Sequence, residues 1–203
     1  MNIKMVSPAA FIERVFDVPV FCQLNTRDYC KHKSGESFVR SSFYSSPEDY
    51  QGDFLKYAQV ADVLIAGAYW DPRAPILFER EDVLKNNFKI RIIADITCDI
   101  QGSIPSTLRS CTIDEPIYDY NPSEDVVELP LTDEANITVM AVDNLPCELS
   151  RDASESFGNE LINNVLPYLI GEDTLGRIAN ATVAERGRLS SKYDYLKDYV
   201  EGK

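Results

Sequence analysis

The stretch ADITCDIQGSIPST, residues 94–107, carries an apolar run straight into a polar loop that contains a glycine. Asp95 and Asp99 lie there, four residues apart. Carboxylates at such a point can position a substrate or handle a proton. Asp99 equally suits a loop capped by hydrogen bonds to its own backbone. A second stretch, AVDNLPCEL (141–149), ends another apolar run in Asp143, Asn144, Leu145 and Pro146. Exposed main-chain groups and an amide there can hold a flat polar ring, although Asp and Asn are also ordinary turn formers. A third, AGAYWDP (66–72), sets Gly67 and Ala68 where a ligand could approach the backbone, with Tyr69 and Trp70 able to stack on it. Small-residue packing followed by a turn at Pro72 accounts for the same residues. His32, the one histidine, falls in a polar excursion and reads as a surface residue. Cys98 has no histidine beside it to make it a nucleophile.

The elements that must position these residues follow from the hydrophobic pattern. Runs at 62–69, 89–96 and 137–142 are apolar and of strand length. Shorter strand-like runs lie at 3–6, 19–24 and 128–131. Helical spacing predicts helices over 8–16, 47–60, 72–85, 152–168 and 190–200. From 153 to 169, Ala153, Phe157, Leu161, Val165 and Leu169 recur every four residues. Asp152 and Glu155 fit a capping box, and Pro167 should kink or end that helix. Residues 26–46 have no clear period and read as a surface excursion. Continuous apolar strands alternating with helices predict an α/β fold, a Rossmann-like parallel sheet with helices on both faces. Such sheets place their ligand beyond the carboxyl ends of the strands. All three chemistry-bearing stretches fall there.

A chain of 203 residues allows one sizeable domain, or one domain with an appendage. Its net charge of −13 argues against binding a phosphate backbone, so no nucleic-acid partner is expected. Five cysteines, an odd number with no pair at metal-ligand spacing, predict no metal site and free thiols in a reducing compartment. The N-terminal residues lack the basic-then-apolar pattern of a signal peptide, and no apolar run is long enough for a membrane span. A cytoplasmic protein without a membrane partner is expected.

Taken together, ADITCDIQGSIPST, LIAGAYWDPRAPILF and AVDNLPCELSRDASESFG resemble the C-terminal domain of alanine dehydrogenase and transhydrogenase, and within that family the lysine-forming saccharopine dehydrogenase and lysine–ketoglutarate reductase branch. The D-I-x-x-D-x-x-G-S-I and V-D-N-L-P patterns, in this order, carry the resemblance over residues 60–168. The ending LSSKYDYLKDYVEG is similar to the end of such proteins. The resemblance implies two Rossmann-like domains with the active site between them. It implies hydride transfer between NAD, or NADP, and an imine formed from an amino acid, acting on a CH–NH bond in lysine metabolism. Positions matching cofactor contacts are Tyr69, Ile96, Val142, Asp143, Asn144 and Leu145. Asp99 matches an acidic position near the nicotinamide and is the candidate catalytic residue. The implied division is a partial NAD-binding domain over 1–175 and a tail over 176–203 that would pack on a substrate domain.

The sequence also departs from that family. Its nine glycines form no G-x-G-x-x-G, the loop that normally holds a pyrophosphate. The run at 3–6 delivers Ser7 and Pro8 where an acidic residue would read the ribose. No residue matches the family's lysine and histidine acid–base pair. The chain is therefore expected to be the C-terminal half of a longer enzyme, with the first sheet strand and N-terminal substrate domain elsewhere, Met1 an internal methionine, and no dehydrogenase activity by itself. A non-catalytic relic or interaction module, or one half of a split enzyme, remains the alternative. Loss of a central strand is expected to expose two unpaired strand edges and make the chain association-prone.

Overall fold

Residues 3–203 are described by a computed structural model. They fall into two units, the first ending at Leu145 and the second spanning Pro146–Lys203. The first unit runs β1 (Lys4–Met5), α1 (Pro8–Glu13), β2 (Val20–Phe21), α2 (Thr26–Tyr29), β3 (Cys30–His32), α3 (Arg40–Ser45), β4 (Tyr50–Gly52), α4 (Leu55–Ala58), β5 (Val63–Ala66), α5 (Arg80–Val83), β6 (Ile92–Asp95), β7 (Ile117–Asn121), β8 (Val126–Glu128) and β9 (Ile137–Met140). The class is α/β, with a Rossmann-like sheet flanked by helices.

The sheet has five strands in the order β5-β6-β9-β7-β8. The three long apolar runs supply β5, β6 and β9, and these are parallel to one another. Two further strands extend them as an antiparallel hairpin, so the sheet is mixed. The sequence reading placed a minor strand at 128–131 and overlooked β7. The hairpin lies slightly earlier because Asn121 builds the turn: its Oδ1 accepts from the Ser123 and Glu124 amides at 2.9 and 3.2 Å. Asp119, mid-strand, breaks the apolar pattern of β7. It is buried, and accepts from the Thr138 hydroxyl at 2.8 Å and the Thr132 amide at 3.3 Å.

Register decides which face is covered. Paired residues share a face, and successive residues alternate. The face bearing Ile93, Asp95, Ile137, Val139, Tyr118 and Tyr120 is buried under a core that includes Phe54, Tyr57, Phe78 and Phe88. On the other face Val63, Ile65 and Ile92 stand 50%, 72% and 49% exposed.

Elsewhere local chemistry overrode helical spacing. Residues 72–85 form a helix only at α5, because Pro72 and Pro75 bar a continuous ladder and Leu77 instead donates to the Ser103 carbonyl at 2.9 Å. Residues 47–60 split into a 3-10 turn (Pro47–Asp49), β4 and α4, since β4 pairs antiparallel with β3. The excursion at 26–46 is more ordered than expected. It carries α2, β3 and α3, and Phe43 with Cys30 and Tyr50 makes a small core of its own. His32 belongs to it, edge-on to Tyr50 with ring centroids 4.9 Å apart.

The second unit holds α6 (Ser150–Asn164), α7 (Leu166–Ile170), α8 (Arg177–Ala181), a short hairpin of β10 (Ala184–Glu185) and β11 (Arg188–Leu189), and α9 (Lys197–Val200). The expected helix at 152–168 starts earlier and breaks before Pro167, whose missing amide permits only a new first turn. Its N-terminus is at Leu149 with no side-chain cap, so Asp152 and Glu155 make no capping box. Residues 190–200 are mostly a 3-10 segment (Ser191–Leu196), with a regular helix only at α9. No described residue of this unit is buried, and Phe157 is 66% exposed. Among the described residues no helix is long and apolar enough to cross a membrane.

None of the described strands pairs with the outer edge of β5. An uncharged edge strand, Val63-Leu64-Ile65-Ala66, with no proline or lysine is a template for pairing. The chain should therefore self-associate with rising concentration, more so in high salt that screens its net charge of −13. Ile65→Lys should suppress this without unfolding the protein. A sedimentation series that shows wild type and variant equally monomeric would refute it.

Candidate functional site

The parallel register brings the carboxyl ends of three strands to one border. Ala66 pairs with Asp95, and Ala94 with Met140. The Ile96 amide continues the ladder by donating to the Ala66 carbonyl at 2.8 Å. Beyond this line lie the three stretches singled out by their chemistry. Tyr69 is 89% exposed, and Ile96 is half exposed. A Cβ on Gly67 would come 3.9 Å from that of Ile96, so the first two stretches touch. Asp143 and Asn144 are exposed and Leu145 is half-buried against the core. Val142 is buried and forms a parallel bridge with Cys111, whose amide donates to the Ala141 carbonyl at 2.7 Å. Only its main chain can therefore face a ligand. Trp70 turns inward, its indole donating to the Ala74 carbonyl at 3.3 Å.

Asp95 and Asp99 have different fates. Asp99 is exposed at the loop tip. Asp95 is 1% exposed and fully occupied by its own loop. Its Oδ1 accepts from the Thr97 amide (3.0 Å), the Thr97 hydroxyl (2.6 Å) and the Cys98 amide (3.3 Å), and its Oδ2 from the Thr107 hydroxyl (2.7 Å). A carboxyl so placed is an organiser of structure and has no free oxygen for a substrate. The sequence reading put it beside Asp99 as an acid–base group. The signal that separates them is the pair of threonines at 97 and 107.

The loop itself is tightly wound. Cys98 and Gln101 have φ of 54° and 52°, a left-handed conformation that side chains other than glycine adopt reluctantly. Gln101 donates to the Thr107 carbonyl and Gly102 to the Asp99 carbonyl, both at 2.9 Å. Gly102 is required by closeness: a Cβ there would lie 2.5 Å from the Asp99 Cβ. Residues 102–107 then run buried toward Tyr118, whose hydroxyl donates to the Ser106 carbonyl at 2.8 Å and accepts from the Leu108 amide at 2.9 Å.

Burial pushes the Cys98 thiol up to about 11, with the Asp95 and Asp143 carboxylates and, more weakly, Asp99 acting in the same sense. The raised thiol is no nucleophile. A separate cleft of about 400 Å³, lined by Phe54, Lys56, Leu77 and Glu79 among others, includes none of the seven candidate site residues.

Of the parts of a dinucleotide, the nicotinamide end is the one these residues could hold: exposed Ile96 and Tyr69 give apolar surface, and the main chain of 142–145 with the Asn144 amide gives polar groups. The residues described do not fit the adenosine end. Ser7, after β1, is used as the cap of α1, accepting from the Ala10 amide at 3.3 Å, and carries no charge for a ribose.

Fold and border together define an α/β protein of Rossmann-like build with its candidate site at the carboxyl edge of a parallel strand triplet. No protein-family model matches the chain. It is similar to the alpha-aminoadipic semialdehyde synthase of Arabidopsis thaliana, 32% identical over 192 residues, covering 91% of this chain and 18% of that protein. Proteins named alpha-aminoadipic semialdehyde synthase, mitochondrial, from Bos taurus and Rattus norvegicus are each 26% identical, over 183 and 228 residues. They cover 77% and 100% of this chain, and 20% and 24% of their own lengths. These relatives support kinship with that family at modest identity. The chain spans 18–24% of their length.

Two outcomes follow from this geometry. Gly102→Ala should destabilise the first unit by about 1–3 kcal/mol, the usual cost of overpacking, read by chemical denaturation. Cys98 and Cys30, both held at about 11 against an ordinary 9.0, should alkylate at pH 8 roughly a hundredfold more slowly than an ordinary thiol, while exposed Cys147 reacts first. Unfolded thiols ionise near 9, before the folded ones, so their contribution is intact below that pH and is lost as pH rises toward 11. A denaturation midpoint that is flat across this range would contradict the assignment.

Proposed function

We propose that this chain is the cofactor-facing portion of an NAD(P)-dependent, saccharopine dehydrogenase-like oxidoreductase of lysine metabolism. The observation that carries the reading is the gathering of Tyr69, Ile96, Asp99, Asp143 and Asn144 at one carboxyl border of parallel strands. The kinship with alpha-aminoadipic semialdehyde synthases supports it. When bound, the nicotinamide ring supplies or accepts hydride at the CH–NH carbon of an amino-acid substrate. Ile96 and Tyr69 offer the apolar shelf for such a ring and keep water from it. The main chain of 142–145 and the Asn144 amide would hold the ring's carboxamide. Asp99, at the loop tip, is the acidic group that would orient the substrate's nitrogen or hold its proton. With no G-x-G-x-x-G to grip a pyrophosphate and no lysine–histidine acid–base pair matched, the chain by itself is expected to bind cofactor weakly and to turn nothing over. The free cysteines fit a reducing compartment, the cytoplasm in this reading, whereas the mammalian relatives carry the word mitochondrial in their names.

The absence of an acidic ribose anchor, with Ser7 committed to a helix cap, favours the second reading of a non-catalytic module. NADH separates the two. Trp70, the sole tryptophan, follows Tyr69 directly and reports on the border by energy transfer to bound NADH. Saturable transfer is expected, with Tyr69→Ala weakening affinity roughly two- to tenfold, the worth of one aromatic contact. No transfer at any NADH concentration, or affinity indifferent to Tyr69, would leave the non-catalytic reading standing.

A further inference from the structure

The cofactor reading uses the tip of the loop and leaves its base without a role. We propose that Asp95 is the positioning residue of this border: its carboxyl latches residues 97–107 so that Ile96 and Asp99 stand on the ligand side. The inference rests on the proposed function for the identity of the ligand, but its geometry does not.

Three features converge on it. First, one buried side chain receives four hydrogen bonds from both arms of a single loop, three from Thr97 and Cys98 on the outgoing arm and one from Thr107 on the returning arm. Second, the loop so tied holds two residues other than glycine at positive φ, Cys98 and Gln101. Each is strained and persists only where the surroundings over-determine it. Third, the tip is exposed while residues 102–107 are buried, so the latch separates an arm anchored in the core from a tip turned outward. Asp95 ends β6 opposite Ala66 of β5, level with the border itself. Releasing the latch lets both strained residues relax, and the tip then leaves the border. Asp95 touches neither ligand nor reacting atom in this account; it acts through Ile96 and Asp99.

Buried Asp119 gives a matched control. It too is 1% exposed and bonded to a threonine hydroxyl, but it lies on β7 opposite Thr138, away from the loop. Three variants are compared in the full chain: Asp95→Ala, Asp95→Asn and Asp119→Ala. The asparagine can keep the geometry, since its oxygen still accepts from Thr97 and Cys98 while its amide donates to the Thr107 hydroxyl. The first readout is amide hydrogen exchange at Gln101 and Gly102, which bond within the loop and not to Asp95, normalised to exchange at Val139. Asp95→Ala should lower this protection at least tenfold, with Asp95→Asn restoring it and Asp119→Ala leaving it unchanged. The second is NADH affinity, expected to fall at least tenfold in Asp95→Ala and to stay within about twofold in the other two. Should Asp95→Ala fail to fold, Thr107→Val removes the one bond to the returning arm and should lower the same protection in part. Unchanged loop protection in Asp95→Ala overturns the latch. So does an equal loss in Asp119→Ala, or a lost loop with undiminished NADH affinity. If the unaltered chain binds no NADH, the cofactor reading fails, and exchange alone decides the latch.

Discussion

Three parallel strands that end level with one another are the constraint on which the candidate site depends. Distant stretches of sequence come to one border only because Ala66, Asp95 and Met140 lie near one line across the sheet. A slip of one residue in β6 would turn Ile93 and Asp95 out of the core and Ile92 into it. The buried face guards against that slip, since Ile93 and Val139 are fully enclosed there and Asp95 finds all its donors on that side. Packing of the sheet and presentation of the loop are thus one specification.

The parallel triplet was legible because apolar, largely β-branched residues dominate each strand, a pattern that long-range context rarely overrides. The place of the loop tip beyond β6 was legible for the same reason, since strand ends are marked by the change from apolar to polar. What escaped reading depended on contacts far away in sequence. Asp119 looks unlike a strand residue until Thr138 and Thr132 arrive to satisfy it. The periodicity of 72–85 is real, yet Pro75 and the reach of Leu77 to Ser103 decide otherwise. Asp95 and Asp99 carry the same side chain, and no local rule tells which is enclosed. The answer lies in Thr107, twelve residues beyond Asp95.

The two halves of the border also differ in what holds them. Residues 97–107 are fixed by side chains that converge on Asp95 and Tyr118, so their shape is set by hydrogen bonds. The stretch after β9 is held chiefly by main-chain contact at Cys111 and by the burial of Val142. Directional bonds tolerate little displacement, whereas apolar contact tolerates more. The 97–107 loop is thus the more directionally fixed side of the border, and the stretch ending at Leu145 the less.

The sheet's two margins are unlike. At β8 the strand is three residues long, and Glu128 is clasped by the Asn121 and Asn136 amides at 2.7 and 2.8 Å, with Pro130 just beyond. That margin is short and guarded against growth, while β5 is open among the described residues. A sheet with a single adhesive border cannot propagate itself as a ribbon. Two copies joined border to border consume both open sides, so the symmetry available is a two-fold that closes on itself. The hairpin thus has a second effect besides completing the sheet: its short strand disfavours growth from that side.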